Sequence, residues 1–180
     1  MMWPISSMSL PQLARLYALR RGYEPLRADC EISREDGVDL DQLMRHEAHG
    51  WYVRQLSTLP ISDLPVRNVA SGCALKMCAG GEGEVVLPSG VVRVAGVRLR
   101  SWCHGVEPVA SSTPEAEAQA NPWCRGGRYA PVAVLRDGYV SVYVPSGAND
   151  AVAELNVVMM PDEDGTYLLT PPMLANMSME

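Results

Sequence analysis

The chain of 180 residues has no phenylalanine, and Lys76 is the one lysine among fifteen basic side chains. The first absence leaves Trp, Tyr and ten Met to fill the volume that Phe usually occupies in a core. The second leaves arginines scattered without a basic block, which argues against a nucleic-acid reader of the basic-patch type. No apolar stretch approaches the ~18 residues needed to cross a bilayer. Met1-Met2-Trp3-Pro4-Ile5 lacks a basic n-region, and Ser6, Ser7 and Ser9 stand where a cleaved signal would have its apolar segment. Five cysteines (Cys30, Cys73, Cys78, Cys103 and Cys124) are odd in number and unevenly spaced, which fits reduced thiols in a cytosolic product better than a disulfide framework.

What is present is the composition of a soluble globular protein: 47% hydrophobic, 20% charged, net charge −6. A chain of this length buries about 70% of its unfolded surface, enough for one domain or two small ones. The charge is unevenly placed. Residues 1–60 carry seven basic and eight acidic side chains, and residues 61–130 carry seven and six. Residues 131–180 set Arg136 against seven acids, so the negative balance sits in the last third. A solubilising surface accounts for it.

Helical signals come first. Ser9-Leu10-Pro11-Gln12 forms a capping box with Pro in the first turn, where amides lack intrahelical partners. Leu10, Leu13, Leu16 and Tyr17 recur at helical spacing until Gly22, a ready C′ residue. A longer helix starts at Asp39. Leu40, Leu43, Met44, Ala48, Trp51, Tyr52, Leu56 and Leu59 follow the i, i+3, i+4 rule until Pro60 stops it. Gly50 inside it costs about 1 kcal/mol relative to Ala and marks a close helix contact. Residues 25–30 read as one short helical turn and 31–38 as a loop.

From about residue 66 the pattern is that of strands. Residues 70–78 and 84–87 make a hairpin about the glycine-rich 79–83. Residues 91–102 make a long strand with a bulge at Ala95-Gly96. Residues 111–122 are a small, polar break with a brief helix capped at Thr113. Asp137-Gly138 joins 132–135 to 139–144 in a further hairpin, and 152–159 and 167–170 are the last strands, closed by Pro161 and Pro171. The expected class is α+β: an N-terminal helical hairpin or bundle at 1–62, a small antiparallel β-sandwich or barrel at 63–170, and a tail at 171–180.

Few constellations carry chemistry. His46-Glu47-Ala48-His49 sets two histidines at i and i+3, one position short of the zinc-protease spacing, and reads as a solvent-facing pair. Cys73 and Cys78 complete the metal candidates with His46 and His49. Their spacing is poor, and Cys73 alternates with Leu75 and Met77 as a small core hydrophobe does. The cysteines as a set read as buried structural thiols. Cys103 beside His104 is a weak nucleophile–base pair, because neighbours on a strand point to opposite faces. Gly80-Gly81-Glu82-Gly83-Glu84 lacks the Lys-Ser/Thr ending of a phosphate loop, and its two carboxylates repel phosphate. No Ser-His-Asp elbow, paired carboxylates or dinucleotide fingerprint stands out, so no catalytic residue and no cofactor is assigned.

The order of signals resembles the head-to-tail adaptor (neck) proteins of tailed bacteriophages, of the tail-tubular-protein-A type. The likeness rests on the capped helix 9–21, the long helix ending Trp51-Tyr52-Val53-Arg54-Gln55-Leu56, and Val86-Leu87-Pro88-Ser89-Gly90-Val91-Val92-Arg93-Val94. It continues in Asn121-Pro122-Trp123-Cys124-Arg125-Gly126-Gly127 and Gly138-Tyr139-Val140-Ser141-Val142-Tyr143-Val144-Pro145. Such adaptors finish with a further helix that rejoins the N-terminal bundle, and here the sequence departs from them, with only 173–179 left after Pro172. The resemblance implies a non-catalytic assembly protein of the virion, a homo-oligomeric ring that joins portal to tail, found in the host cytoplasm during assembly, with DNA as passing cargo and no membrane. It implies that the helices dock on the portal, with Leu10, Leu13, Tyr17, Met44, Trp51 and Tyr52 as interface residues. Asp162, Glu163 and Asp164 are candidates for an acidic lumen that lets DNA slide. The alternative is a β-sandwich binding module of a bacterial accessory protein. A zinc-dependent enzyme comes third.

Overall fold

The computed structural model describes residues 3–22, 39–78, 80–143, 150–161 and 165–177. In chain order the elements are β1 (Ser6–Ser9), α1 (Leu10–Arg20), α2 (Leu40–Thr58), β2 (Arg67–Asn68), β3 (Leu75–Cys78), β4 (Glu82–Val86), β5 (Val91–Leu99) and β6 (Val109–Ala110). There follow α3 (Pro114–Ala118), β7 (Ala133–Leu135), β8 (Tyr139–Tyr143), β9 (Val152–Met159), β10 (Thr166–Leu169) and α4 (Pro171–Asn176). The class is α+β. Among these residues no helix is long and apolar enough to cross a membrane.

The chain divides into two compact units, Met1–Pro65 with Met160–Glu180, and Val66–Met159. The expected boundary near residue 62 lies close to the first division. The last strand and the tail differ from expectation: β10 and α4 belong with the N-terminal helices instead of the β unit. The cause is β1, a strand that no alternation in Ser6-Ser7-Met8-Ser9 announces. It pairs antiparallel with β10, Ser6 opposite Leu169 and Ser9 opposite Thr166.

In this first unit both helix starts follow the sequence signals. The Gln12 side chain accepts a hydrogen bond from the Ser9 amide at 2.9 Å. The Asp39 carboxylate accepts from the Asp41 and Gln42 amides at 2.9 and 3.2 Å. Gly22 takes φ +75° directly after α1, the left-handed conformation that favours glycine at C′. Gly50 is a correction: a β-carbon there would meet nothing closer than the Arg54 guanidinium at 3.9 Å, so no tight helix contact is built on it. The core gathers Leu13 and Tyr17 of α1, Trp51, Tyr52 and Leu56 of α2, Tyr167 and Leu169 of β10, and Met173 and Met177, all buried. Tyr17 and Trp51 meet at 6.1 Å between ring centroids, and Tyr52 meets Tyr167 edge-on at 5.0 Å.

The second unit holds a three-stranded sheet, order β2-β9-β5, and a five-stranded sheet, order β3-β4-β8-β7-β6. One core joins them, with Val94, Val97, Leu99, Leu155 and Val157 from the first sheet and Val85, Ala133, Val140 and Val142 from the second. This is the sandwich-like part. Pairing is antiparallel apart from β6 with β7, which run parallel. The bulge expected at Ala95-Gly96 appears as a register shift between Val94 and Gly96. The hairpin at Gly138 is present, with φ +79° at that glycine and the Arg136 amide donating to the Tyr139 carbonyl at 2.9 Å. Two strands are shorter than expected. Residues 70–72 form a 3-10 turn before β3, and β5 ends at Leu99 where residues 100–104 turn.

Candidate functional site

The metal candidates do not converge: among the described residues no group of three or more His, Cys, Asp or Glu is placed to hold a metal. The expected solvent-facing histidine pair is half right. His46 is exposed, whereas His49 is half-buried and its Nδ1 shares a hydrogen bond of 2.8 Å with the Tyr167 hydroxyl. The reason is β10, which brings Tyr167 edge-on to His49. Cys73 packs against the sandwich core and its thiol donates to the Val69 carbonyl at 3.4 Å. Burial pushes that thiol's pKa up. Partial burial, followed by the Glu84 carboxylate, does the same for Cys78 on β3. Both changes disfavour the thiolate that metal binding or nucleophilic attack needs.

Cys103 and Cys124 correct the expectation of buried thiols, since both are exposed. Cys103 and His104 stand in the turn after β5, not on a strand, and the Cys103 amide donates to the Arg128 carbonyl at 3.0 Å. Cys30 lies outside the described residues.

Of the six helix residues proposed as an interface, Leu13, Tyr17, Trp51 and Tyr52 are corrected by the structure. They have almost no exposed surface: Tyr17 and Trp51 pack on each other between α1 and α2, and Tyr52 packs on Tyr167 of β10. Leu10 and Met44 are half-buried. Asp162, Glu163 and Asp164 lie outside the described residues. Two other acids of the last third are engaged: Glu154 accepts from Arg98 at 2.7 Å, and Asp150 accepts from the Ser101 amide and hydroxyl. An open cleft of about 720 Å³ lies beside Asp150, lined also by Asn68, Cys73, Leu75, Arg100 and Val152 among others.

One surface feature that periodicity does not reveal is the connection from α3 to β7. Thr113 caps α3 by accepting from the Ala116 amide at 3.3 Å, and Ala116 packs with Val134 and Tyr143 on the five-stranded sheet. Gln119, buried, donates to the Glu115 carbonyl at 3.0 Å and accepts from the Gly126 amide at 2.8 Å. Arg125 donates to the Gln119 carbonyl at 2.8 Å and to the Gly80 carbonyl, with its guanidinium 5.6 Å from the Tyr143 ring centroid. From this pinned loop Trp123 projects with 95% of its surface exposed and Tyr129 with 77%. The one sequence signal was a Trp between Pro122 and Gly126-Gly127, outside any alternating or helical pattern. No protein-family model matches the chain, and no curated protein matches it in sequence.

Proposed function

We propose that the protein is a non-catalytic adaptor of a tailed bacteriophage, a ring-forming subunit that joins portal to tail in the virion. The observation that carries this reading is α4. Adaptors of the type that the sequence resembles end in a helix that rejoins the N-terminal bundle, and the six-residue α4, in the same unit as α1 and α2, supports the reading. Met173 and Met177 are fully buried, and Thr170 at its start donates to the Asp63 carbonyl at 2.5 Å. The Asn176 amide reaches Gln55 of α2 at 3.5 Å. In this reading Leu13, Tyr17, Trp51 and Tyr52 keep the helical unit rigid, and exposed Leu19 and Leu43 take over as portal contacts.

Light scattering and negative-stain microscopy of the protein alone and mixed with a portal test the reading. Rings or a stoichiometric portal complex are expected, and a strict monomer in both conditions overturns it. Asp162, Glu163 and Asp164 remain the lumen candidates. Their charge reversal is expected to impair DNA passage, and unchanged passage and assembly would remove the lumen from the reading. A binding module of a bacterial accessory protein is the second reading, favoured by the display of Trp123 and Tyr129. It predicts no affinity for a portal.

A further inference from the structure

Residues 118–136 contain no acidic side chain and carry Arg125, Arg128 and Arg136, in a chain of net charge −6. Residues 101–117, immediately before, contain Glu107, Glu115 and Glu117 and neither Arg nor Lys. Glu107, Glu115, Glu117 and Arg128 are all exposed. The second unit therefore presents an aromatic projection with Arg128 exposed beside it, and an acidic flank on the adjoining segment. Burying an indole stabilises by a few kcal/mol relative to leaving it in water. The loop nevertheless holds Trp123 outward through Gln119, Arg125 and Gly126, so little further ordering is required when a partner covers it.

We propose that the Trp123 loop is the surface by which one copy of this chain binds a second copy. Trp123 and Tyr129 pack on the α3 flank of the neighbour, and Arg128 faces its Glu115 and Glu117. The opposite charges fix which segments meet across the contact, the loop of one copy against the α3 flank of the other. The inference rests on the ring reading and names the surface at which its copies meet. A nucleic-acid strand fits the loop less well. The Arg125 guanidinium is turned to the Gly80 and Gln119 carbonyls and the Tyr143 ring, and Glu115 and Glu117 beside the loop repel phosphate.

Sedimentation of the full chain over a concentration series, with tryptophan emission in parallel, tests the proposal. The wild type is expected to associate with a blue shift, and Trp123→Ala to weaken association about tenfold or more without loss of fold, since that side chain touches little of its own chain. Arg128→Glu alone and the pair Glu115→Arg with Glu117→Arg are each expected to stay monomeric at concentrations where the wild type associates. Mixing the two charge variants is expected to restore association, because each then meets an opposite charge. Association unchanged in Trp123→Ala, or no recovery on mixing, overturns the proposal; if portal binding persists, the adaptor reading survives it. A wild type that never associates, with or without portal, overturns both. Quenching of Trp123 by a single-stranded oligonucleotide without self-association overturns the protein partner in favour of nucleic acid.

Discussion

A β-carbon at Gly126 would lie 2.7 Å from the Val132 amide nitrogen and 2.8 Å from the Ala130 carbonyl oxygen, backbone atoms that cannot swing aside. Gly126→Ala is therefore expected to cost about 1–3 kcal/mol through local overpacking. At about 2–4 °C per kcal/mol for a chain of this size, thermal melting reads it as a drop of several degrees. Trp102 presents opposing effects, since it is buried in the sandwich core and its indole N–H has no partner among the described residues. Trp102→Phe removes an orphan donor that costs roughly 1–3 kcal/mol but leaves a void, so its melting temperature is expected to stay near the wild type. Trp102→Ala leaves the larger void and is expected to cost about 3–5 kcal/mol. The thiols differ in accessibility. Because burial raises the Cys73 pKa, the neutral thiol is the form the fold favours. Its contribution is complete below the ordinary thiol range and is lost as pH rises through the raised value. At mildly alkaline pH, alkylation followed by mass spectrometry is expected to modify exposed Cys103 and Cys124 well before Cys73. The sequence disclosed Cys73 as a core residue through its alternation with Leu75. It disclosed nothing of Cys103, whose exposure follows from where β5 ends.

Elements with a local cause were legible. α1 and α2 start and stop within a residue or two of their caps and breakers, since Ser9, Asp39 and Pro60 act on neighbouring amides and need no tertiary partner. The hairpin at Gly138 follows from one glycine at positive φ. Elements that exist by virtue of a remote partner were not legible. β1 has no hydrophobic alternation and is a strand because β10 pairs with it, and Val109 and Ala110 form β6 because β7 lies alongside. The candidate site suffered the same fate. Trp51 and Tyr52 look like a docking stripe on a two-helix hairpin, and are core instead, Trp51 against Tyr17 of α1 and Tyr52 against Tyr167 of β10. Two predictions belong here. Asp39→Ala removes a carboxylate that caps two amides of α2 and is expected to cost about 1 kcal/mol in chemical denaturation. Met173→Ala empties a fully buried site under α4 and is expected to cost about 2–5 kcal/mol by the same measurement.

At the scale of the whole molecule, a net charge of −6 opposes association of like copies, and a local match of opposite charges must overcome it. Of the seven acids of residues 131–180, Asp137, Asp150 and Glu154 belong to the second unit. The division of the chain has a further consequence, in the order of events during synthesis. The second unit, residues 66–159, is continuous and holds both of its sheets, so it can complete itself as soon as it leaves the ribosome. The first unit cannot: α1 and α2 emerge early, but β10 and the buried Met173 and Met177 emerge after the whole insert has been made. The helices must wait with Tyr52 uncovered on its Tyr167 side, so this unit starts before the insert and is completed after it.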